Sequence, residues 1–186
     1  MEKKVIKNIA NICMPVTIIG ANVNGKPNFM TVGFFSWIEY KPKAIFSISI
    51  GKKQYTNIGI KQNETFSVNI PSEKMLVVSD YIGVKSGREI DKTKIFSVFY
   101  GDLKTAPMIE EAPINYECKV INTLDFDGVH DIFLGEVIKS YADKDLSEKG
   151  LNVENLKPIL LWFDKYYSVG HQIGQAYKIF KEYESN

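Results

Sequence analysis

Small polar residues at strand ends and turns are the chemistry-bearing feature of this 186-residue chain. Asn28, Thr31, Ser36, Ser47, Ser49, Tyr55, Thr56 and Asn69 make one set, and the stretch Ser86–Lys92, SGREIDK, adds Arg88 and Lys92. A phosphate needs several hydroxyl or main-chain donors and one or two cations, shielded from competing water. Thr56 beside Tyr55, near the start of a short helix, offers donors of that kind. Arg88 or Lys92 offers the charge. Arg88 is the only arginine in the sequence, and its planar fork suits bidentate phosphate recognition.

Other reaction classes lack their residues. His130 and His171 stand in no HxH or HExxH spacing, so no metal site is expected. No GxSxG elbow, GxxxxGK[ST] loop or GxGxxG fingerprint occurs, which leaves out that hydrolase nucleophile, a P-loop and Rossmann-type nicotinamide binding. The pair Glu110-Glu111 reads as solvated charge. Cys13 and Cys118 form no CxxC, and both sit beside apolar residues that predict core positions.

The elements that must position these residues are mostly strands. Pro15–Ala21 and Phe29–Trp37 flank Asn24-Gly25, a strong hairpin signal. Ala44–Ile50 and Thr65–Pro71 alternate apolar residues with Ser, Thr and Asn, which predicts half-polar strands. Asn115–Leu124 and His130–Lys139 flank a turn at Asp127-Gly128, and Pro158–Ser168 reads as one further strand. Helices are predicted over Lys53–Gln62, over Glu73–Ile82 behind an N-cap at Ser72, and over Ile173–Tyr183, docking by one face. Between Val84 and Pro113 the pattern weakens, and an irregular segment of that length suits a functional role such as gating a site. Six or more strands with hairpin signals predict a closed or partly closed barrel in a single domain over residues 1–186.

Composition agrees with a folded chain: 45% of residues are hydrophobic and 12% aromatic. The 23 basic residues against 22 acidic ones leave a net charge of +1, which argues against a dedicated nucleic-acid or membrane-surface binder. No apolar run suits a transmembrane helix, and Asn8, Asn11 and Pro15 break the N-terminal pattern a signal peptide would need. A cytoplasmic protein is the expectation.

The order of the motifs closely resembles the flavin reductase-like family of FMN-binding split barrels, with flavoredoxin-type proteins the nearest group. The ordered set is Asn28-Phe29-Met30-Thr31, Ser47–Thr56, Phe66–Pro71 and Ser86–Lys92, then Glu117–Val120, His130–Val137 and Pro158–Gly170. It runs over almost the whole chain. The resemblance implies a mainly β split-barrel homodimer with short helices and FMN held non-covalently near the dimer interface. It implies that Asn28, Thr31, Ser47, Ser49, Tyr55, Thr56 and Lys92 line the flavin site, that His130 and Phe163 complete it, and that an aromatic near Phe34 meets the ring. Family members often carry a tryptophan there, whereas this chain has Phe34 and Phe35, with Trp37 further on. The implied activity is oxidoreductase chemistry: electrons from NADH or NADPH pass through flavin to free flavin, ferric iron or a partner protein. A flavoredoxin-type carrier and a non-catalytic ligand-binding barrel are the alternatives.

Overall fold

The computed structural model describes residues 3–4 and 12–184. Its centre is a seven-stranded antiparallel sheet. The strands are β2 (Thr17–Val23), β3 (Lys26–Val32), β4 (Phe35–Glu39), β5 (Ile45–Gly51), β6 (Thr65–Ile70), β9 (Ile114–Leu124) and β10 (His130–Ala142), in spatial order β3-β2-β6-β9-β10-β5-β4. Asn24 and Gly25 turn β2 into β3 with φ of 51° and 78°. Positive φ at both central residues of a two-residue loop matches the twist of the paired strands. The predicted strand Phe29–Trp37 is broken at Gly33, so β3 and β4 lie at opposite edges of the sheet. The sheet curls until Val32 and Met30 of β3 share an interior with Phe46, Ile48 and Ile50 of β5. Among the described residues no ladder joins the two edges, so the barrel is split rather than closed.

Helix α1 (Tyr55–Asn63) packs on β2 because Gly59 lets its backbone come close: a Cβ there would lie 2.4 Å from the Asn22 carbonyl oxygen. Helix α2 (Leu76–Val84) covers the outside of β3 and follows a single 3-10 turn over Glu73–Met75. Ser72 does precede these turns, but its hydroxyl makes no cap; its backbone instead bridges Pro158.

The half-polar strands have a structural explanation. Ser67 and Asn69 of β6 are fully buried, and they hold the irregular segment against the sheet. Asn69 donates to the Ile18 carbonyl (2.9 Å) and accepts from the Ile109 N–H (3.0 Å) and the Asn115 amide (2.8 Å). Ser67 donates to the Pro107 carbonyl, and Asn22 takes the Tyr100 hydroxyl at 3.0 Å. The segment contributes two short strands, β7 (Val98–Phe99) and β8 (Met108–Ile109), and a second core around Ile18, Phe29, Ile82, Phe96 and Ile109. Residues 97–113 are therefore stitched down rather than free to gate; of the irregular segment, only residues 84–92 border the groove described below.

Glu117 anchors the same segment. Its carboxylate is fully buried and accepts from the main-chain N–H groups of Asp102 (3.1 Å) and Leu103 (2.6 Å) and from the Tyr141 hydroxyl (2.7 Å). Burial and this carboxylate push the Tyr141 hydroxyl up to about 12. Glu117→Ala leaves three part-buried donors without this partner, and losses of this kind cost about 1 kcal/mol each, up to about 3 where the donor is fully desolvated. The expected result is a destabilisation of about 3 kcal/mol in urea unfolding; a change under half a kcal/mol would mean the anchor contributes nothing net.

Three sequence expectations are corrected. The stretch 158–168 is a hairpin, not one strand: β11 (Ile159–Trp162) turns at Phe163, with φ of 59°, into β12 (Lys165–Ser168), and β11 pairs with β1 (Cys13–Pro15). The C-terminal helix is reduced to α5 (Lys181–Glu184), and its apolar residues do not dock: Ile173 and Tyr177 are 88% and 93% exposed. Helical spacing alone did not supply a surface to bury them. Cys118 is buried as expected, whereas Cys13 is exposed on edge strand β1, with no disulfide between them. Two short helices, α3 (Lys144–Lys149) and α4 (Val153–Leu156), complete the fold. No described helix is long and apolar enough to cross a membrane.

Candidate functional site

Strand β3 carries the site. Three adjoining hollows run along it and share lining residues, so they form one groove. The first, about 190 Å³, is bordered by Met14, Met30, Gly33, Phe34, Ser49, His130 and Leu161. The second, about 80 Å³, is bordered by Gln54, Tyr55, Thr56, Ser86 and Lys92. Met30 and Gln54 belong to both. The third, about 300 Å³, is reached past Asn28, Tyr55, Gly87 and Lys92, which it shares with the second, and it adds Lys26 and Arg88. The groove therefore passes from an apolar end, through hydroxyl and amide groups, to a cationic end.

At the apolar end Phe34 is half exposed, and its ring meets His130 edge-on at 5.8 Å. A Cβ at Gly51 would lie 3.2 Å from the Gln54 side chain and 3.9 Å from the His130 ring. Phe35 turns the other way and packs on Phe46 at 5.0 Å, and Trp37 lies outside the groove with its indole N–H on the Glu39 carbonyl. Of the three aromatics after the Asn-x-Met-Thr motif, only Phe34 lines the groove.

The middle is organised by the N-terminus of α1. Its N-cap residue, Gln54, makes no side-chain cap; the Asn57 N–H donates to the Gln54 carbonyl at 3.2 Å, and the N–H groups of Tyr55 and Thr56 keep their donor capacity for a ligand. Asn28, almost fully buried, donates to the Thr56 hydroxyl at 2.7 Å and so orients it. The helix itself is fixed from below. Asn57 donates to the Asp131 carboxylate at 2.8 Å, and Lys61 reaches the same group at 2.6 Å. Burial pushes the Asp131 carboxyl up, but hydrogen bonds from Lys61 and Asn57 outweigh it and hold the group below its usual range.

Lys92 forms the floor between the second and third hollows. Its ammonium is buried and donates to the carbonyls of Phe29 (2.7 Å) and Ile82 (2.8 Å). Ile82 lies in the last turn of α2, where carbonyls lack helical partners and a cation is favourable. No carboxylate pairs with this ammonium among the described residues, and burial lowers its pKa to about 8. Arg88 is exposed, stacks over the Tyr55 ring at 5.1 Å and donates to the Lys53 carbonyl at 3.1 Å. Gly87 sits so close to Asn28 and Tyr55 that a Cβ would lie 2.0 Å and 2.7 Å from them.

Asn28, Thr31, Phe34, Ser49, Tyr55, Thr56, Arg88, Lys92 and His130 thus all border one groove. Thr31 also donates to the Ser79 carbonyl of α2. Two residues stand apart. Ser47 is half-buried on β5, two positions from Ser49 and on the same face, and does not line the groove. Phe163 is at the tip of the β11–β12 hairpin, 65% exposed. The groove also includes Met14, Met30, Gln54 and Leu161, which sequence reasoning did not single out. Met30 was within reach, since it alternates with Phe29 inside the motif. Met14 and Leu161 meet only because β1 pairs with β11.

A larger hollow, about 500 Å³, lies elsewhere between Glu73, Glu111, Asp143 and Lys157, and shares no lining residue with the groove. Its charged rim places none of the residues that the sequence singled out as phosphate donors. Glu111 there accepts the Ser97 N–H at 3.0 Å, so it is a structural partner as well as a surface charge. Among the described residues no cluster of histidine, cysteine and carboxylate side chains is arranged to hold a metal.

The groove's order of surfaces fits FMN: an apolar end for a planar ring system, hydroxyl and amide groups for a polyol chain, and helix N–H groups with a buried cation for a phosphate. The model of the flavin reductase like domain matches residues 9–170. The structure of flavoredoxin from Methanosarcina acetivorans superposes with a TM-score of 0.91 and 39% identity, covering 98% of this chain and 99% of that one. Flavoredoxin of Desulfovibrio vulgaris (Miyazaki F) has the same fold, with a TM-score of 0.86, 24% identity and coverage of 96% and 99%. An uncharacterized protein of Archaeoglobus fulgidus is 30% identical over 115 residues, which span 61% of this chain and 64% of that protein. On the family match and the fold together, the chain belongs to the flavin reductase like domain family.

Proposed function

We propose that the whole chain acts as one FMN-binding oxidoreductase domain, a cytoplasmic homodimer that moves electrons from NADH or NADPH through flavin to free flavin, ferric iron or a protein acceptor. The observation that carries this reading is the single groove whose apolar, polar and cationic stretches follow one another in the order FMN presents them. When bound, FMN would supply hydride acceptance and release of electrons singly or in pairs. The chain's part is to grip and orient. Thr56, the α1 N–H groups and Lys92 would hold the phosphate; Asn28 would keep the Thr56 hydroxyl aimed. Met30, Leu161 and Phe34 would flank the ring and exclude water. His130, beside Phe34 at the open end, would be placed to donate a proton or a hydrogen bond to the ring edge or to an incoming nicotinamide.

The experiment is the visible absorbance of the purified protein after incubation with FMN and desalting. Retained flavin bands that bleach with NADH or NADPH support the reductase; retained bands that do not bleach support a carrier. The likeness to the Methanosarcina flavoredoxin, at 39% identity, favours that carrier as the second reading. A colourless protein with no measurable FMN affinity would leave the ligand-binding barrel. For the phosphate grip, Thr56→Ala should weaken FMN binding by about 1–3 kcal/mol, the cost of losing a partner to a charged group, and leave riboflavin binding unchanged. Equal losses for both ligands would place Thr56 away from the phosphate.

A further inference from the structure

Two side chains at the apolar end of the groove, Met14 and Leu161, come from outside the seven-stranded sheet. They belong to the small sheet β1-β11-β12. Met14 is the register partner of Leu161, and Leu161 is the register partner of Tyr166. Direct partners on neighbouring antiparallel strands project from the same face, so the three side chains stand in one row turned toward the groove. A Cβ at Gly33 would lie 3.4 Å from Leu161 and 3.6 Å from Met14. The row ends in a polar contact: the Tyr166 hydroxyl donates to the Asp80 carboxylate of α2 at 2.8 Å. Burial and this carboxylate push the Tyr166 hydroxyl up to about 12, so it remains a donor near neutral pH. Helix α2 is in turn fixed to the floor of the groove, since Thr31 donates to the Ser79 carbonyl and Lys92 to that of Ile82 at 2.8 Å. The small sheet's other ties to the body gather at the start of β11. There the Val16 N–H donates to the Ile159 carbonyl (3.0 Å), the Glu73 N–H to the Lys157 carbonyl (2.9 Å), and Ser72 bridges Pro158. From the outer strand, β12, the Tyr166–Asp80 bond alone reaches the body among the described residues.

We propose that Tyr166 is a positioning residue of the flavin site: by holding Asp80 it keeps Met14 and Leu161 against the ring, and so sets how fast flavin leaves the groove. The inference rests on the flavin reading above and adds to it what decides whether the flavin is retained or exchanged. Tyr166 borders none of the three hollows, so it acts through the row of side chains and not by touching the ligand. Without the bond, β12 swings on the anchors at the start of β11. Leu161 and Met14 then draw back together, because the ladders couple them to Tyr166, and water reaches the ring.

The test is the rate of flavin release when protein loaded with FMN or riboflavin is diluted, followed by flavin fluorescence. The variants are Tyr166→Phe, Asp80→Ala, Asp80→Asn and the double change Tyr166→Phe with Asp80→Ala, beside the natural sequence. Tyr166→Phe keeps the ring and removes only the hydroxyl, so the hairpin is expected to fold. For a half-exposed bond to a carboxylate, Tyr166→Phe and Asp80→Ala should each speed FMN release by about five- to tenfold. Riboflavin release should speed up by the same factor, since the wall meets the ring and not the phosphate. Asp80→Asn keeps an oxygen that accepts from the tyrosine, and it should change release by less than about twofold. The double variant should match either single one, as two partners of one bond do. Unchanged release in both Tyr166→Phe and Asp80→Ala, with or without a lower thermal midpoint, overturns the positioning role and leaves the flavin reading standing. Effects that add in the double variant also overturn it. If neither flavin binds the natural sequence, the flavin reading falls, and the role of Tyr166 with it.

Discussion

FMN affinity should fall as the pH is raised from about 8, by roughly ten- to a hundredfold in all, while the flavin-free fold gains stability over the same range. Both effects come from Lys92. Burial lowers its pKa to about 8 in the folded chain, against about 10.4 in an unfolded one. Below pH 8 the lysine is charged in both states, and the fold bears the full desolvation cost. Between about 8 and 10.4 the unfolded chain holds the extra proton, so stability rises with pH. The burial cost returns as pH falls back through 8. Flavin binding has the opposite sign, because a phosphate meets a cation only while Lys92 is protonated. Loss of a hydrogen bond to a charged group, about 1.5–3 kcal/mol, sets the size of the fall. Fluorescence titrations from pH 7 to 9.5 with FMN and riboflavin, beside urea unfolding of the flavin-free protein, measure both slopes. Riboflavin has no phosphate and should show no such slope. Lys92→Met should abolish the slope for FMN and leave the affinity near the alkaline level. An FMN affinity flat to pH 9.5 would mean that the ammonium serves only its two carbonyl partners.

Lys92 also shows what the sequence carried and what it withheld. Its charge and its place in the SGREIDK stretch marked it as a phosphate candidate. Its burial and its hold on Phe29 and Ile82 depend on α2 crossing β3, which no local pattern encodes. Period-2 alternation found β2, β5, β6, β9 and β10 within a few residues, because each buries an apolar face in one interior. The same alternation misread the polar face of β6. Asn69 resembled a ligand donor, and with Ser67 it is instead an anchor of residues 107–115, partners distant in sequence. Pro158–Ser168 read as one strand since nothing in its composition signals a turn; Phe163 adopts positive φ without a glycine. At the C-terminus helical spacing was real, but a helix of that length needs a surface to bury its stripe, and Tyr177 and Ile173 meet none. The site residues were legible where they fall in compact motifs, Asn28–Thr31, Tyr55–Thr56 and Ser86–Lys92. They were not legible where long-range pairing makes the wall, as with Met14 and Leu161.

Gly87→Ala should weaken flavin binding by roughly ten- to a hundredfold with little change in thermal midpoint. The argument is one of space, since the added methyl would lie 2.0 Å from Asn28 Oδ1 and 2.7 Å from Tyr55 Cδ1. Both side chains must move, or the turn at residues 86–88 must lift. If Asn28 moves, its 2.7 Å donation to Thr56 is lost and the hydroxyl is free to rotate. If Tyr55 moves, Arg88 loses the ring it stacks on. If the turn lifts, Lys92 is drawn away from the floor four residues later. Each route damages the cationic half of the groove and spares both hydrophobic cores, because Gly87 belongs to neither. Overpacking of this kind costs about 1–3 kcal/mol, and in a half-exposed turn the strain is relieved locally instead of by unfolding. Gly25→Ala is the matched control: it adds the same methyl at φ of 78° with nothing within 4 Å, so it strains the β2–β3 turn without touching the groove. Flavin titration and thermal melts of the two variants separate the effects. Gly87→Ala lowers affinity at a nearly constant melting point, and Gly25→Ala does the reverse. Unchanged flavin affinity in Gly87→Ala would remove the 86–92 turn from the site, and with it the phosphate end of the groove.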